Sequence, residues 1–507
     1  MVVAALQSAK NLVSSMSISS SSPARRVIKW CGSTPPRLRT IQFRPEARIT
    51  GQNSGCHSAS SSGILGRTDM KPIHLPSIAV ALAIPFCTTA GDWPNWRGPT
   101  FNGASTETGL PEKFSKTENV KWTATMPGSA AATPIIWGDR VFVSTTDEST
   151  KSLLAICLRR TDGSELWRRE VGFGISRDPR SNFASPSPVA DGERVFFFYG
   201  NGDLICFNHS GDQLWKRSIT KDYGEFAFQW TFSSSPVLFD GRLYLQILQR
   251  DVPVNGRGRS DGPNESFLLA LDPKSGAELW RHLRPSEARA ESLEAFSTPI
   301  PSEHEGRKEL LIAGGDCISG HDPATGKELW RWGTWNPTRI THWRLVPSPL
   351  AAGPVVLACA PKNDPVYAVR AGLSGTLADS DLAWVSSQRE VSSDVATPLY
   401  YRESIYLLNT DRRVLNRIEP ATGKVIWSGD LPSRSKLEAS PLGADGRIYL
   451  MNHDGVVFVV RAGGEQFDLL HETDMSDEGD RELRSSIAAA HGQLFIRTGK
   501  TLYCIGK

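Results

Sequence analysis

Leu268–Trp280, LLALDPKSGAELW, holds in thirteen residues the unit from which the chain is built. Leu268–Leu271 is a short apolar run suited to a buried strand, Asp272–Gly276 supplies turn chemistry, and Trp280 falls on a second strand after the turn. Glycine at 276 permits the positive φ of a tight reversal. The same glycine, four residues ahead of a tryptophan, recurs at Gly163/Trp167, Gly211/Trp215, Gly326/Trp330 and Gly423/Trp427. Degenerate copies stand at Ser380/Trp384 and Gly463/Phe467, and Trp122 opens the series, so the period is about 49 residues.

A second marker runs in phase. Each unit opens on Ser-Pro or Thr-Pro: Thr133-Pro134, Ser187-Pro188, Ser235-Pro236, Thr298-Pro299, Ser348-Pro349, Thr397-Pro398 and Ser440-Pro441. A turn and an aromatic or β-branched run follow, as in ADGERVFFFY (190–199) and ADGRIYLMN (444–452). Each unit therefore reads as four short strands, A to D, separated by Gly/Asp/Asn turns. Four-stranded units in tandem at this period predict an all-β fold, a β-propeller of antiparallel blades. Seven units are complete. The carboxy-terminal remainder 485–507 supplies only three strands, and Val120–Ala124 supplies a fourth, so the sequence predicts eight blades with the last closed by the N-terminal strand. Trp122, Trp167, Trp215, Trp280, Trp330, Trp384, Trp427 and Phe467 are predicted to dock each blade on the next, an aromatic ring burying about 150–250 Å².

With 507 residues, 39% hydrophobic, the chain can bury a core, and no apolar run reaches the roughly 20 residues of a membrane helix. The net charge of +3 gives no case for nucleic acid, and it resides in the leader: residues 1–69 hold nine basic and two acidic side chains. This Ser- and Arg-rich leader is read as untranslated or disordered, with Met70 as the alternative start to Met1. Residues 70–90 have the positive start, apolar stretch (Leu75–Phe86) and small residues of a secretory signal peptide. Residues 91–118 form an N-terminal extension and 119–507 the propeller of an exported protein, periplasmic or extracellular. The bulky residues before Cys87 argue against a lipid anchor there. Cys157, Cys206, Cys317, Cys359 and Cys504 are spread through the mature span without a C-x-x-C, which argues against a disulfide framework or a cysteine-based zinc site.

The repeat resembles the pyrroloquinoline-quinone-like (PQQ-like) propellers, whose unit looks like Ala-x-Asp-x-x-Thr-Gly-x-x-x-Trp. Ala270, Asp272, Ser275, Gly276 and Trp280 match it, as do Asp322, Thr325, Gly326 and Trp330, and Glu419, Thr422, Gly423 and Trp427. Trp93–Pro99 (WPNWRGP) looks like the start of a bacterial exported subgroup. The resemblance implies either a quinoprotein dehydrogenase using PQQ with calcium or a non-catalytic propeller such as the lipoprotein that assists outer-membrane assembly. The dehydrogenases carry two adjacent cysteines; this sequence has no such pair and no C-x-x-C-H for haem. No catalytic or metal-ligating residue is assigned.

The loops joining strand D to the next strand A carry the remaining signal. GFGISRDPRSNFAS (172–185), KDYGEFAFQWTFSS (221–234) and GTWNPTRITHWRLV (333–346) are long and rich in Arg and aromatic residues. Arg177, Trp230, Arg339, His342, Trp343 and Arg344 are the candidate ligand-binding residues, because guanidinium forks and aromatic faces suit a small polar, anionic, sugar-like or peptide ligand. Arg250–Asn264 is expected to be a mobile insertion. The leading expectation is an exported, non-catalytic propeller that binds a protein partner. A dehydrogenase with an atypical cofactor site and a carbohydrate-binding module are the alternatives.

Overall fold

The structure, a computed structural model, describes residues 91–507 apart from 176, 177 and 179. The leader, the secretory segment and Cys87 lie outside the described residues. Eight antiparallel sheets follow one another along the chain. Blade 1 is Ile135–Trp137, Arg140–Asp147, Ser152–Arg159 and Glu165–Phe173. Blades 2 to 7 repeat this order, their A strands starting at Val189, Val237, Ile300, Leu350, Leu399 and Leu442. Blade 8 is Ala488–Ala490, Gln493–Arg497 and Thr501–Gly506, completed by Val120–Thr125 with Trp122 opposite Cys504. The middle strands B and C of each blade are the most apolar, and they fill the space between adjacent blades.

The two repeating sequence markers have separate structural jobs. At the centre, each Ser or Thr that precedes strand A receives a hydrogen bond from the backbone N–H of its counterpart one blade earlier. The chain runs from Thr133 N to Ser187 Oγ (2.9 Å) and on through Ser235, Thr298, Ser348, Thr397, Ser440 and Ser486. Proline tolerates the next position because the first residue of a strand need not donate. The circle is left open between Ser486 and Thr133, whose Oγ1 is buried without a partner, and Ser485 Oγ donates to Ala132 O there instead.

At the periphery, the tryptophan of strand D reaches the C–D turn of the following blade. The indole N–H of Trp122 donates to Arg160 O, Trp167 to His209 O, Trp215 to Pro273 O, Trp280 to Pro323 O, and Trp384 to Pro420 O. Each ring lies flat on the turn glycine of that next blade. A Cβ on Gly163, Gly211, Gly276, Gly326 or Gly423 would come within 2.5–2.8 Å of the tryptophan in front of it. Glycine is thus needed both for its positive φ of 71–86° and for the room its missing side chain leaves.

Three positions depart from this pattern. Trp427 reaches Gly463 O at 3.4 Å, but no ring covers Gly463. Trp330 turns inward and donates to the buried carboxylate of Glu309, which Arg307 also holds. The blade 5 turn there has grown into a strand, Gly375–Thr376, that pairs in parallel with Trp330–Arg331 as a fifth strand of blade 4. Phe467 lies in the turn before strand D of blade 7, packed back on Gly429 and Trp427. His471 occupies the register that Trp167 holds in blade 1, and its Nε2 meets the backbone of Phe114.

Residues 92–118 run as a strap over the face that carries the A–B hairpins. Trp93 pairs with Ile136 of blade 1, and Gly103 and Ser105 pair with Gly443 of blade 7. Between them Arg97, 2% exposed, donates to Pro398 O and Pro441 O, and Trp96 closes that end of the channel.

Candidate functional site at the channel mouth

The opposite face carries the D–A loops and B–C hairpins. Its channel wall is set by register: the residue two positions before each central hydroxyl faces the channel, once per blade. Blades 1 to 3 supply Ala131, Ser185 and Ser233, blades 4 to 6 Phe296, Val346 and Val395, and blades 7 and 8 Glu438 and Arg484. The cavity they enclose is about 130 Å³, with Trp96 at its far end.

Glu438 and Arg484 meet across the junction of blades 7 and 8. Arg484 Nε donates to Glu438 Oε2 at 2.6 Å, and His453 Nε2 lies 3.0 Å from the same oxygen. Burial acts first to raise the Glu438 carboxyl, but the adjoining His453 and the Arg484 charge outweigh it and hold it at about 2. Arg484 also donates to Arg180 O, so the pair braces the loop after blade 1.

A second cluster stands on the loops of blades 2 to 4. The side chain of Glu294 is fully buried and takes hydrogen bonds from Arg250 Nε and from Gln229 N (3.1 Å). Burial, the larger influence, pushes its carboxyl up to about 7, while Arg250 pulls the other way. Glu291 accepts from Trp230 Nε1 at 3.2 Å and faces Arg344 at 3.7 Å. Arg180 covers the Trp230 ring at 4.9 Å.

Of the six candidate residues, the structure thus brings Trp230 and Arg344 together through Glu291. Trp343 is half-buried against the blade 4 core and its backbone N–H donates to Ser292 Oγ, while His342 is exposed. Arg339 points elsewhere, pairing with Glu287 beside another cavity. Arg177 lies outside the described residues. The insertion read as mobile is tied down by Arg250 and by Arg257, which donates to Phe228 O and Gln229 O. Glu438, Arg484 and His453 are not among the residues expected from the sequence, since His453 sits in a turn and the other two stand in ordinary loop contexts. The phase of the Ser/Thr-Pro marker was the signal for Glu438: counting back two residues from each marker gives the channel wall of blades 1 to 7, and the same count from Ser486 gives Arg484.

The PQQ-like resemblance brings a quinone and calcium, and the mouth residues do not fit that pair. The one channel-wall carboxylate is already neutralised by Arg484, and among the described residues no three His, Cys, Asp or Glu converge as a metal site. The channel cavity also falls below the roughly 300 Å³ at which ligand pockets begin.

Comparison with known proteins bears on the whole propeller. A family profile described as "Outer membrane protein assembly factor BamB" matches residues 113–250 and 264–507, leaving out the blade 3 insertion. Polyvinylalcohol dehydrogenase of a Pseudomonas species is 24% identical over 225 residues, 41% of this chain and 32% of that protein. Tetrathionate hydrolase of Acidithiobacillus ferrooxidans is 23% identical over 340 residues, 65% of this chain and 51% of that protein. The chain therefore spans about a third to a half of the length of these curated relatives. The crystal structure of BamB from Moraxella catarrhalis superposes with a TM-score of 0.53 at 12% identity, covering 76% of this chain and 98% of that one, a likeness of fold.

Proposed function

This chain belongs to the BamB family of PQQ-like repeat propellers, and from that premise we propose that it is an exported, non-catalytic propeller that holds a protein partner on its loop face. The observation that carries this reading is the channel mouth. Its single carboxylate is spent on an internal ion pair with Arg484, its other walls are small hydroxyls, aliphatic groups and the Phe296 ring, and its far end is closed by Trp96. Such a mouth offers no free group for polarising a substrate.

The loop face is better suited to a macromolecule. Strand D of blade 1 runs on to Phe173, which is 70% exposed, whereas most other D strands are shorter. Nearby, Arg180 and Trp230 form a stacked pair, and Trp and Arg are the residue types that dominate protein interfaces. A photo-crosslinking side chain at Phe173 is expected to give one dominant protein adduct in exporting cells, and the same group at Leu214, on the outer rim, none. Purified chain mixed with PQQ and calcium should show neither quinone absorbance nor dye-linked alcohol oxidation. Turnover there would replace this reading with that of a dehydrogenase.

A further inference from the structure

The repeat is least regular at blade 4, and a cavity of about 450 Å³ opens there on the loop face, away from the channel. Its walls are Ser286 and Glu287 after blade 3, Asp316 and Cys317 in the B–C hairpin of blade 4, Arg331, and Arg339 in the following loop. The fifth strand of blade 4 leads into Leu377, which completes it.

Cys317 differs from the other described thiols. Cys157, Cys206, Cys359 and Cys504 sit in apolar strands where burial pushes each up to about 12. Cys317 Sγ instead receives Arg284 Nη2 at 3.1 Å and Arg331 Nη1 at 3.4 Å, and its remaining polar neighbour is Gly314 O at 3.6 Å. Arg284 is 1% exposed and has no carboxylate among its hydrogen-bond partners, which are Ser319 Oγ, Gly314 O, and the Cys317 carbonyl and sulfur. Arg331 is also paired with Glu328 at 2.6 Å, so the uncompensated guanidinium at the sulfur is that of Arg284, the kind of electropositive neighbour that reactive thiols use.

Asp316 supplies an independent observation. It is 4% exposed, lines the same cavity, and its Oδ1 makes no well-formed hydrogen bond although the Trp335 indole lies beside the carboxylate, while Oδ2 accepts from Asn336 Nδ2 at 2.8 Å. An unsatisfied buried carboxylate oxygen calls for a donor from whatever enters. Arg339, held at the rim by the exposed Glu287, offers a guanidinium to a ligand carboxylate. A thiol, a waiting acceptor and a cationic rim in one cavity of ordinary ligand size define a molecule with a disulfide, an ammonium and a carboxylate.

We propose that this cavity takes a small zwitterionic disulfide of the cystine or glutathione-disulfide type, and that Cys317 exchanges with it to form a mixed disulfide. Cys317 gives its proton to water and Sγ attacks one ligand sulfur. The Sγ–S bond forms as the ligand S–S bond breaks, and the departing thiolate takes a proton from water, so no further oxidant is needed.

The test uses the folded full chain with cystine and, separately, uncharged 2-hydroxyethyl disulfide, each rate normalised to a free small thiol, with adducts located by peptide mapping. Cystine is expected to modify Cys317 about tenfold faster than the uncharged disulfide does, and about tenfold faster than it modifies any other described cysteine. Asp316→Asn should bring the ratio of the cystine rate to the uncharged-disulfide rate to about one. No adduct at Cys317, equal rates for the two disulfides in the unaltered protein, or a preference that survives Asp316→Asn would each overturn the proposal.

Discussion

At the junction of blades 1 and 2 the Trp167 ring lies on Gly211 and its N–H meets His209 O, whereas between blades 7 and 8 no tryptophan stands in that register. The cause is the closing strand. Strand D of blade 8 arrives from the amino-terminal end, so blade 8 has no C–D turn and no glycine on which a ring can lie. Around this seam polar groups take over: His471 with the Phe114 backbone, Glu438 with Arg484, and the buried Arg497, which reaches Ser144 O, Gly128 O and Thr145 Oγ1 of blade 1. Regular junctions are held by apolar contact, which is insensitive to pH. The seam shares an apolar core as well but adds directed contacts between charged and polar groups, which are sensitive to pH.

The largest effect should come from removing the closing strand itself. Deleting 119–125 leaves blade 8 with an unpaired edge and removes Trp122 from Gly163, so cooperative thermal unfolding should be lost in calorimetry. A deletion protein with the parent's transition would end the distinction between seam and junction. Next comes the glycine contact. Gly211→Val places a side chain at φ 86° against Trp167 and should destabilise by about 3 kcal/mol or more in urea titration. Gly375→Ala, at a similar φ of 81° with nothing within 4 Å, should lose only about 1 kcal/mol, because the fifth strand has replaced the ring there.

Acid should separate the two kinds of junction. The Glu438 carboxyl lies below its ordinary value of 4.5, so its stabilising effect is complete above that pH and is lost as pH falls toward about 2. Glu438→Gln should therefore be destabilised by the order of 3 kcal/mol at pH 7, with the deficit shrinking across that window. Trp167→Phe should show a deficit that stays flat over the same range. The smallest contrast lies in the central hydroxyl circle. Thr397→Val removes an acceptor from Ser348 N and should cost about 1–3 kcal/mol, while Thr133→Val removes an unpartnered hydroxyl and should be near neutral.

Much of the architecture was legible because each cue is local. The alternation of apolar runs and Gly/Asp turns placed four strands in every unit, and the missing strand after Ser485 pointed to 120–124. The aromatic girdle was legible less completely. Trp330 carries the full motif, yet the motif says nothing about the turn it must meet, and the turn of blade 5 has become a strand. Phe467 was placed by its spacing from Gly463, but the C–D turn of blade 7 is two residues longer than that of blade 1, so His471 takes the register. The loops gave Arg and aromatic residues in number without saying which converge. Trp230 and Arg344 share Glu291, and Arg339 turns to another cavity.

The sequence by itself determined the number of blades, their strand order and the closure of the last by the first segment, because repeats and turns are written within stretches of about 49 residues. Only the tertiary structure decided which groups meet between blades and across the channel. Glu438 and Arg484 lie 46 residues apart, Arg284 and Cys317 lie 33 apart, and Arg97 and Pro441 lie 344 apart. Those distances collapse only when neighbouring blades pack and, for Arg97, when the ring has closed, so the charge pairs, the Trp96 plug and the Cys317 cavity are properties of the assembled blades and of no single repeat.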